Sequence, residues 1–282
     1  MIRMQQFTYR YSEMARPALE GINLVIEPGE CIGLLGSNGA GKTTLCYAIM
    51  GLIPHFFQGD LTGEVRVNNQ PVAKMDLAAM SRQVGMVLQN AANQLSGTKM
   101  TVEEEIAFGL ENFAIAQEEM RERVDWALEI LGIAGIRKRN PYQLSGGQLQ
   151  RVAIASVLVL KPQILLLDEP TSQLDPKGTE EVYQVLRQLR KEGITILLAE
   201  HKVEMLAQCC TRLIVLNEGK IMADASPHAV LGHPSLPDWG VEAPVFTQAY
   251  QAVVQPHHGE KVPITLRETI ERLNQYEQAY RG

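Results

Sequence analysis

Two stretches of this 282-residue chain combine residue types that handle phosphate. The first is GSNGAGKTT: Gly36, Ser37, Asn38, Gly39, Ala40, Gly41, Lys42, Thr43 and Thr44. Glycines let successive backbone N–H groups turn inward as an anion nest, and a helix opening there adds the positive end of its dipole. An apolar, β-type run precedes the motif and a helical pattern follows it, which is the context that G-x-x-x-x-G-K-[ST] requires. In that setting Lys42 is expected to bridge the β- and γ-phosphates of a nucleotide, and the Thr43 hydroxyl to hold Mg²⁺. A plain glycine-rich turn would leave the Lys-Thr pair without a purpose. The second stretch, ILLLDEP, puts Asp168 and Glu169 at the end of an apolar strand. One carboxylate there can hold Mg²⁺ through water, and its neighbour can polarise an attacking water. Alone, acids at a strand end are often just solvated; beside a phosphate loop they complete a hydrolytic set.

A third stretch raises a question about the first. LSGGQ places Leu144, Ser145, Gly146, Gly147 and Gln148 at the start of another helix, offering a hydroxyl and backbone N–H groups as a second anion site. A phosphate loop with its Mg²⁺ covers one face of a nucleotide and leaves the γ-phosphate open on the other. Local sequence does not say whether the second motif closes on the same nucleotide.

Several elements must position these residues. Short apolar runs alternate with helical patterns: ECIGLLG before KTTLCYAIMGL, RQVGMVLQ before an acidic helical region, QILLLDE before TEEVYQVLRQLRKEG, and ITILLAEH before KVEMLAQCC. Continuous rather than alternating apolar strands indicate a parallel sheet buried on both faces, so the fold class is α/β. Val182, Val185, Leu186 and Leu189 recur at helical spacing and are expected to pack one helix face on that sheet. Between Gln89 and the second glycine motif there is no strand character; Met120, Val124, Leu128 and Leu131 line one helix face, which predicts an inserted helical subdomain. The expected division is an ATP-binding core at 1–98 and 160–223 with an antiparallel β part near the N-terminus, a helical subdomain at 99–159, and an extension at 224–282. Within the extension, Thr265 and Glu268 fit a capping box that opens a last helix.

Composition narrows the setting. Cys31, Cys46, Cys209 and Cys210 lie in apolar segments with no C-x-x-C pair, favouring buried, reduced thiols and a cytoplasmic protein. No apolar run approaches the roughly 18 residues of a membrane span, and the N-terminus has no signal-peptide core. A net charge of −6 with acids and bases interspersed offers no footprint for nucleic acid and no polybasic stripe for anionic lipid. Any membrane role is expected to run through a protein partner.

Together, Gly36 to Thr43, Gln89, Leu144 to Gln148, Asp168, Glu169, the SQLD at Ser172 to Asp175, and His201 occur in the order and spacing that resembles ATP-binding-cassette ATPases. The resemblance covers about residues 2–235 and implies a P-loop NTPase fold with ATP and Mg²⁺ as cofactors. It also answers the question above, because in that family the signature loop of one subunit caps the ATP held by the other, in a head-to-tail dimer. By the same resemblance, Gln89 is the Q-loop glutamine touching Mg²⁺ and the attacking water. His201 is the switch histidine on the γ-phosphate, Asp175 crosses the dimer interface, and Tyr11 stacks on adenine. Tyr9, two residues earlier on the same strand face, is the rival to Tyr11. All catalytic positions carry the family's residue types; Gln173 stands where the family more often has Ala.

The segments GLIPHFFQGDLTGEV, NQLSGTKMTVEEEIAFGLEN and AEHKVE, and the tail from WGVEAPVF to TLRETIERL, are similar to the ATPase subunits of energy-coupling-factor importers of vitamins and metals. That group usually has Asn-Pro-x-x-Gln-Leu-Phe after the Q-loop glutamine, where this chain has Asn90 to Ser96 without the Pro and Phe. The resemblance implies a second ATPase subunit, identical or paralogous, and a transmembrane subunit docking near Gln89. It also implies a peripheral location on the cytoplasmic face of the membrane. A soluble cassette ATPase, such as one serving cluster assembly, is the alternative reading.

Overall fold

The computed structural model describes residues 1–255 and 261–281; of the expected extension, 256–260 and Gly282 lie outside the described residues. Among the described residues, ten strands form two sheets. β1 (Ile2–Tyr11), β2 (Leu19–Ile26), β4 (Gly59–Val67) and β5 (Gln70–Pro71) make an antiparallel sheet in the order β2-β1-β4-β5. β3 (Cys31–Leu35), β6 (Val84–Val87), β7 (Ile164–Asp168), β8 (Thr195–Ala199), β9 (Arg212–Asn217) and β10 (Lys220–Ala225) make the second, in the order β10-β9-β3-β8-β7-β6. It is parallel throughout except for β10, which returns antiparallel along β9.

The parallel strands are apolar along their length because each face closes a different core. Ile32, Leu34, Ile164, Leu166, Leu197 and Ile214 point into a core shared with the antiparallel sheet and with Leu45 and Ile49 of α1 (Lys42–Met50). Their alternates Cys31, Leu35, Leu165, Leu167, Ile196 and Leu198 point into a core on the opposite face. Strand periodicity of two thus serves two buried layers at once. Short helices α2 (Leu52–His55) and α3 (Leu77–Ser81) border the first core.

Between β6 and β7 the chain is helical: α4 (Val102–Asn112), α5 (Gln117–Ile130) and α6 (Gly146–Leu158), with two 3₁₀ turns between α5 and α6. Thr101 caps α4 in a reciprocal box with Glu104, the Glu104 N–H donating to Thr101 Oγ1 at 3.3 Å and the Thr101 N–H to Glu104 Oε2 at 3.0 Å. Val124, Leu128 and Leu131 are buried as expected, with Met120 partly buried beside them. Glu105, itself buried, accepts from the Ser96 N–H at 2.7 Å and the Ser96 hydroxyl at 2.9 Å, fastening the stretch after β6 to α4.

Further helices α7 (Pro176–Lys191) and α8 (Val203–Cys209) cover the second core, followed by α9 (Pro227–Leu231), α10 (Val245–Val254) and α11 (Leu266–Arg281). Val182, Val185, Leu186 and Leu189 of α7 are all buried there, as the periodicity predicts. Thr265 does cap α11, accepting from the Glu268 N–H at 3.3 Å. The return bond differs from the expected box, since the Glu268 carboxylate accepts from the Ile264 N–H at 2.9 Å. The four cysteines are free and buried, with Cys31 and Cys210 sulfurs 3.9 Å apart. No described helix is long and apolar enough to cross a membrane.

Tyr183 on α7 is fully buried and its hydroxyl finds no hydrogen-bond partner among the described residues. A buried hydroxyl left unpaired costs about 1 to 3 kcal/mol. Tyr183→Phe is therefore expected to raise the urea midpoint of unfolding. A lowered midpoint would mean that the hydroxyl is bonded after all.

Candidate functional site

The site is built where the parallel strands end. β3 stops at Leu35 and the chain turns through Gly36 to Gly41 before α1 begins at Lys42. Gly36 and Gly41 have φ of 146° and 107°, values that side chains disfavour. Space forbids a side chain as well: a Cβ on Gly36 would lie 2.3 Å from the Leu216 carbonyl oxygen, and one on Gly41 2.6 Å from that of Ala18. Lys42 is 5% exposed, and its Nζ donates to the carbonyls of Gly36 at 2.8 Å and Ser37 at 3.1 Å. Burial pushes the Lys42 ammonium below its ordinary pKa, with the carboxylates of Glu169, Asp168 and Glu200 opposing that shift.

The acidic pair at the end of β7 faces this lysine. The Thr43 hydroxyl donates to Asp168 Oδ2 at 2.7 Å. Burial raises the Asp168 pKa above the usual carboxylate value, and the Thr43 bond pulls against that. Glu169 follows at φ 48°, an uncommon angle for a residue with a side chain, and its N–H is tied to the Ala199 carbonyl of β8 at 2.9 Å. The turn carries the Glu169 carboxylate to two partners at once. Gln89 Nε2, just beyond β6, donates to Oε2 at 2.7 Å, and His201 Nε2, just beyond β8, lies 2.9 Å from Oε1. Lys42 Nζ is 3.4 Å from the same imidazole nitrogen. Four strand ends thus bring Gln89, Glu169, His201 and Lys42 into one connected chain of polar groups.

These groups floor a cavity of about 1240 Å³ that also exposes Asn38, Gly39, Gly41, Thr43 and Thr44. Gly36, Ser37 and Ala40 do not line it; the first two supply carbonyls to Lys42, and Ala40 is buried behind the loop. Tyr11 stands at one wall, half-buried, its hydroxyl 3.2 Å from Thr44 Oγ1. Tyr9 is wholly buried, its hydroxyl donating to the Gln58 carbonyl at 3.1 Å, and it presents no ring face to the cavity. Of the two, Tyr11 has the ring that a base can reach.

The cation set is deliberately incomplete within the chain. Thr43 and Asp168 offer one hydroxyl and one carboxylate in contact, and no group of three or more His, Cys, Asp or Glu side chains among the described residues is arranged to hold a metal. That set fits Mg²⁺, which keeps waters and takes phosphate oxygens as further ligands.

The remaining motif residues lie outside this cavity. Ser145 is exposed and caps α6, accepting from the Gln148 N–H at 3.4 Å while Gln148 Oε1 accepts from the Ser145 N–H at 3.3 Å. Asp175 is exposed and caps α7, accepting from the Gly178 N–H at 2.7 Å. The two caps are neighbours, since a Cβ on Gly147 would lie 3.8 Å from Gly178 Cα. Sequence reasoning missed the opposite wall, made by Arg16, Glu20 and the β9–β10 turn Asn217–Lys220. The turn had a signal: Asn-Glu-Gly between two apolar runs is hairpin chemistry. It closes on the phosphate loop through the Gly219 N–H, which donates to the Ala40 carbonyl at 3.0 Å.

The raised pKa of Asp168 gives a pH-dependent expectation. An acid whose folded pKa is raised costs stability above that pKa and costs none once protonated. Asp168→Asn is therefore expected to raise the thermal midpoint of the nucleotide-free protein at pH 8, and the gain should shrink as pH falls through the raised pKa. The same variant should lose the Mg²⁺ dependence of ATP binding. A midpoint lowered at pH 8 would show that the Asp168 carboxylate is stabilising there.

Comparison with known proteins agrees with this geometry. Residues 19–172 match the family model described as ABC transporter. The energy-coupling factor transporter ATP-binding protein EcfA of Methanothermobacter thermautotrophicus is 39% identical over 229 residues, 80% of this chain and 71% of its own. Among solved structures, cbiO1 from Clostridium perfringens, part of the ABC transporter complex cbiONQ, superposes with a TM-score of 0.75 at 32% identity, covering 90% of this chain and 95% of its own. An ATP-binding cassette solved as a dimer in a post-hydrolysis state with ADP and Pi gives 0.68 at 29% identity, over 80% and 99% of the two chains. The phosphate loop, the acidic pair and the fold that joins them therefore belong to an ATP-hydrolysing subunit: this chain is a member of the ABC transporter ATPase family.

Proposed function

We propose that this chain powers an importer of the energy-coupling-factor type, driving a vitamin or metal ion through membrane partners by opening and closing a head-to-tail dimer. The observation that carries the reading is the split between the two anion sites. Gln89, Glu169, His201 and Lys42 are linked around one cavity, whereas Ser145 to Gln148 lie outside it, Ser145 and Gly146 exposed and Gly147 and Gln148 half-buried. A motif with spare donors at a helix N-terminus, lying outside its own chain's cavity, suits the nucleotide of a second chain.

In this account the glycine loop from Gly36 to Gly41 and Lys42 take up the phosphates, Thr43 and Asp168 hold Mg²⁺ with Gln89 alongside, and Tyr11 stacks on the adenine. Bound Mg²⁺ would neutralise charge on the β- and γ-phosphates. Glu169 accepts a proton from the attacking water and His201 stabilises the γ-phosphate, the two side chains lying 2.9 Å apart. Ser145, Gly146, Gly147, Gln148 and Asp175 act on the partner's ATP. The membrane subunit docks beside Gln89 and residues 90–110, where Met100 and the nearby Tyr142 are exposed at 70% and 62%. Ser96, which stands where importers of this group usually have Phe, is engaged with Glu105 instead, so this surface is more polar. The extension adds a dimer contact through exposed Val253, Leu266 and Ile270. On this reading the chain works at the cytoplasmic face of the membrane and never touches the transported solute.

Two variants separate the roles. Glu169→Gln is expected to lower ATP turnover by roughly 10² to 10⁴ with ATP affinity unchanged; undiminished turnover would remove Glu169 from its role. Ser145→Arg is expected to abolish turnover while each chain still binds ATP. Binding and turnover lost in step would place Ser145 at its own chain's nucleotide.

A further inference from the structure

One buried carboxylate takes no part in the mechanism above. Glu200, between β8 and His201, is 2% exposed. Its Oε2 accepts from the Thr171 hydroxyl at 2.9 Å and its Oε1 from the backbone N–H of His201 at 3.2 Å. Thr171 is wholly buried in the turn between Glu169 and Asp175, and its carbonyl accepts from Lys202 Nζ at 2.9 Å. Lys202 also donates to the Thr179 hydroxyl in the first turn of α7 at 2.8 Å, the turn that Asp175 caps. The Glu200 N–H reaches back to the Leu34 carbonyl of β3 at 3.3 Å, ahead of the phosphate loop. A carboxylate costs much to bury, and this one is compensated by two donors, one from each loop.

We infer that Glu200 is a positioning residue that locks the backbone of the switch histidine to the Glu169–Asp175 turn, so that contact of Asp175 with a partner chain is felt at His201. The two loops have no covalent link near the site. Besides the contact of His201 with Glu169, their side-chain ties are the Glu200–Thr171 bond on one side of His201 and Lys202 on the other, and both converge on Thr171. The inference rests on the proposed dimer, because a chain working alone would gain nothing from joining its turn at Asp175 to its own histidine.

The test compares ATP turnover by the full chain with nucleotide binding, using Glu200→Ala, Thr171→Val and Thr171→Ser. Glu200→Ala and Thr171→Val are each expected to lower kcat about tenfold, in the range for residues that couple sites without touching ligand. The Kd for Mg-ATP should stay within twofold of wild type. Thr171→Ser keeps the hydroxyl and should keep wild-type kcat. The double variant Glu200→Ala with Thr171→Val should be no slower than either single, because both remove the same link. If Glu200→Ala does not fold, the contrast between Val and Ser at position 171 carries the test. Wild-type kcat in Thr171→Val would overturn the inference, as would kcat and ATP affinity falling together in every variant. Absence of turnover in the wild-type chain itself would instead sink the hydrolytic reading of the site.

Discussion

A lysine ammonium buried at the head of α1 is the constraint around which this site is arranged. A charge 5% exposed is untenable without compensation, and the compensation comes from everything that converges on the strand ends. The Gly36 and Ser37 carbonyls bend toward it, which only glycine at position 36 permits because the Leu216 carbonyl leaves no room for a Cβ. The carboxylates of Glu169, Asp168 and Glu200 sit close enough to oppose the effect of its burial. Each of these acids is then held by a further group: Asp168 by Thr43, Glu169 by Gln89, Glu200 by Thr171. The parallel sheet makes this possible by delivering β3, β6, β7 and β8 to the same edge, in the manner of α/β folds that bind ligands at the carboxyl ends of their strands.

How far the sequence reveals this depends on the kind of interaction. Continuous apolar strands announced a sheet buried on both faces, and the alternation of Leu165 and Leu167 with Ile164 and Leu166 between two cores is the structural form of that signal. Phosphate chemistry was readable at Gly36 to Thr43 because backbone geometry and function demand the same residues there. The choice between Tyr11 and Tyr9 was not readable, since strand periodicity puts both on one face. The two differ in depth, Tyr9 being sealed under the Gln58 carbonyl while Tyr11 lines the cavity. The wall at Arg16, Glu20 and Asn217–Lys220 was hidden because it is assembled by pairings distant in sequence, such as Gly219 with Ala40. Glu200 gave no signal, as a glutamate beside a histidine in sequence looks solvated until its burial is seen. The capping box at Thr265 was half right: the N-cap bond is present, but the carboxylate reaches past its expected partner to Ile264.

The division of labour within the chain follows from its two kinds of helix N-terminus. That of α1 is turned inward and lined by a lysine, so it is committed to the cavity of its own chain. Those of α6 and α7 are capped by exposed Ser145 and Asp175, lie side by side, and line no part of that cavity. Both caps are satisfied locally, which keeps the helix ends stable, while the Gly146 and Gly147 N–H groups at the start of α6 stay available. On the proposed reading, an ATPase arranged this way would gain a partner-dependent active site from rigid elements, without any loop having to fold over the nucleotide.

The most direct test is the mass of the Glu169→Gln protein in solution with and without Mg-ATP, measured again with Ser145→Arg added. The account predicts a shift from one chain to two on adding Mg-ATP, and no shift in the double variant even though it still binds ATP. An ATP-bound Glu169→Gln protein that stays a single chain, or a dimer indifferent to Ser145→Arg, would contradict the claim that two chains share each nucleotide.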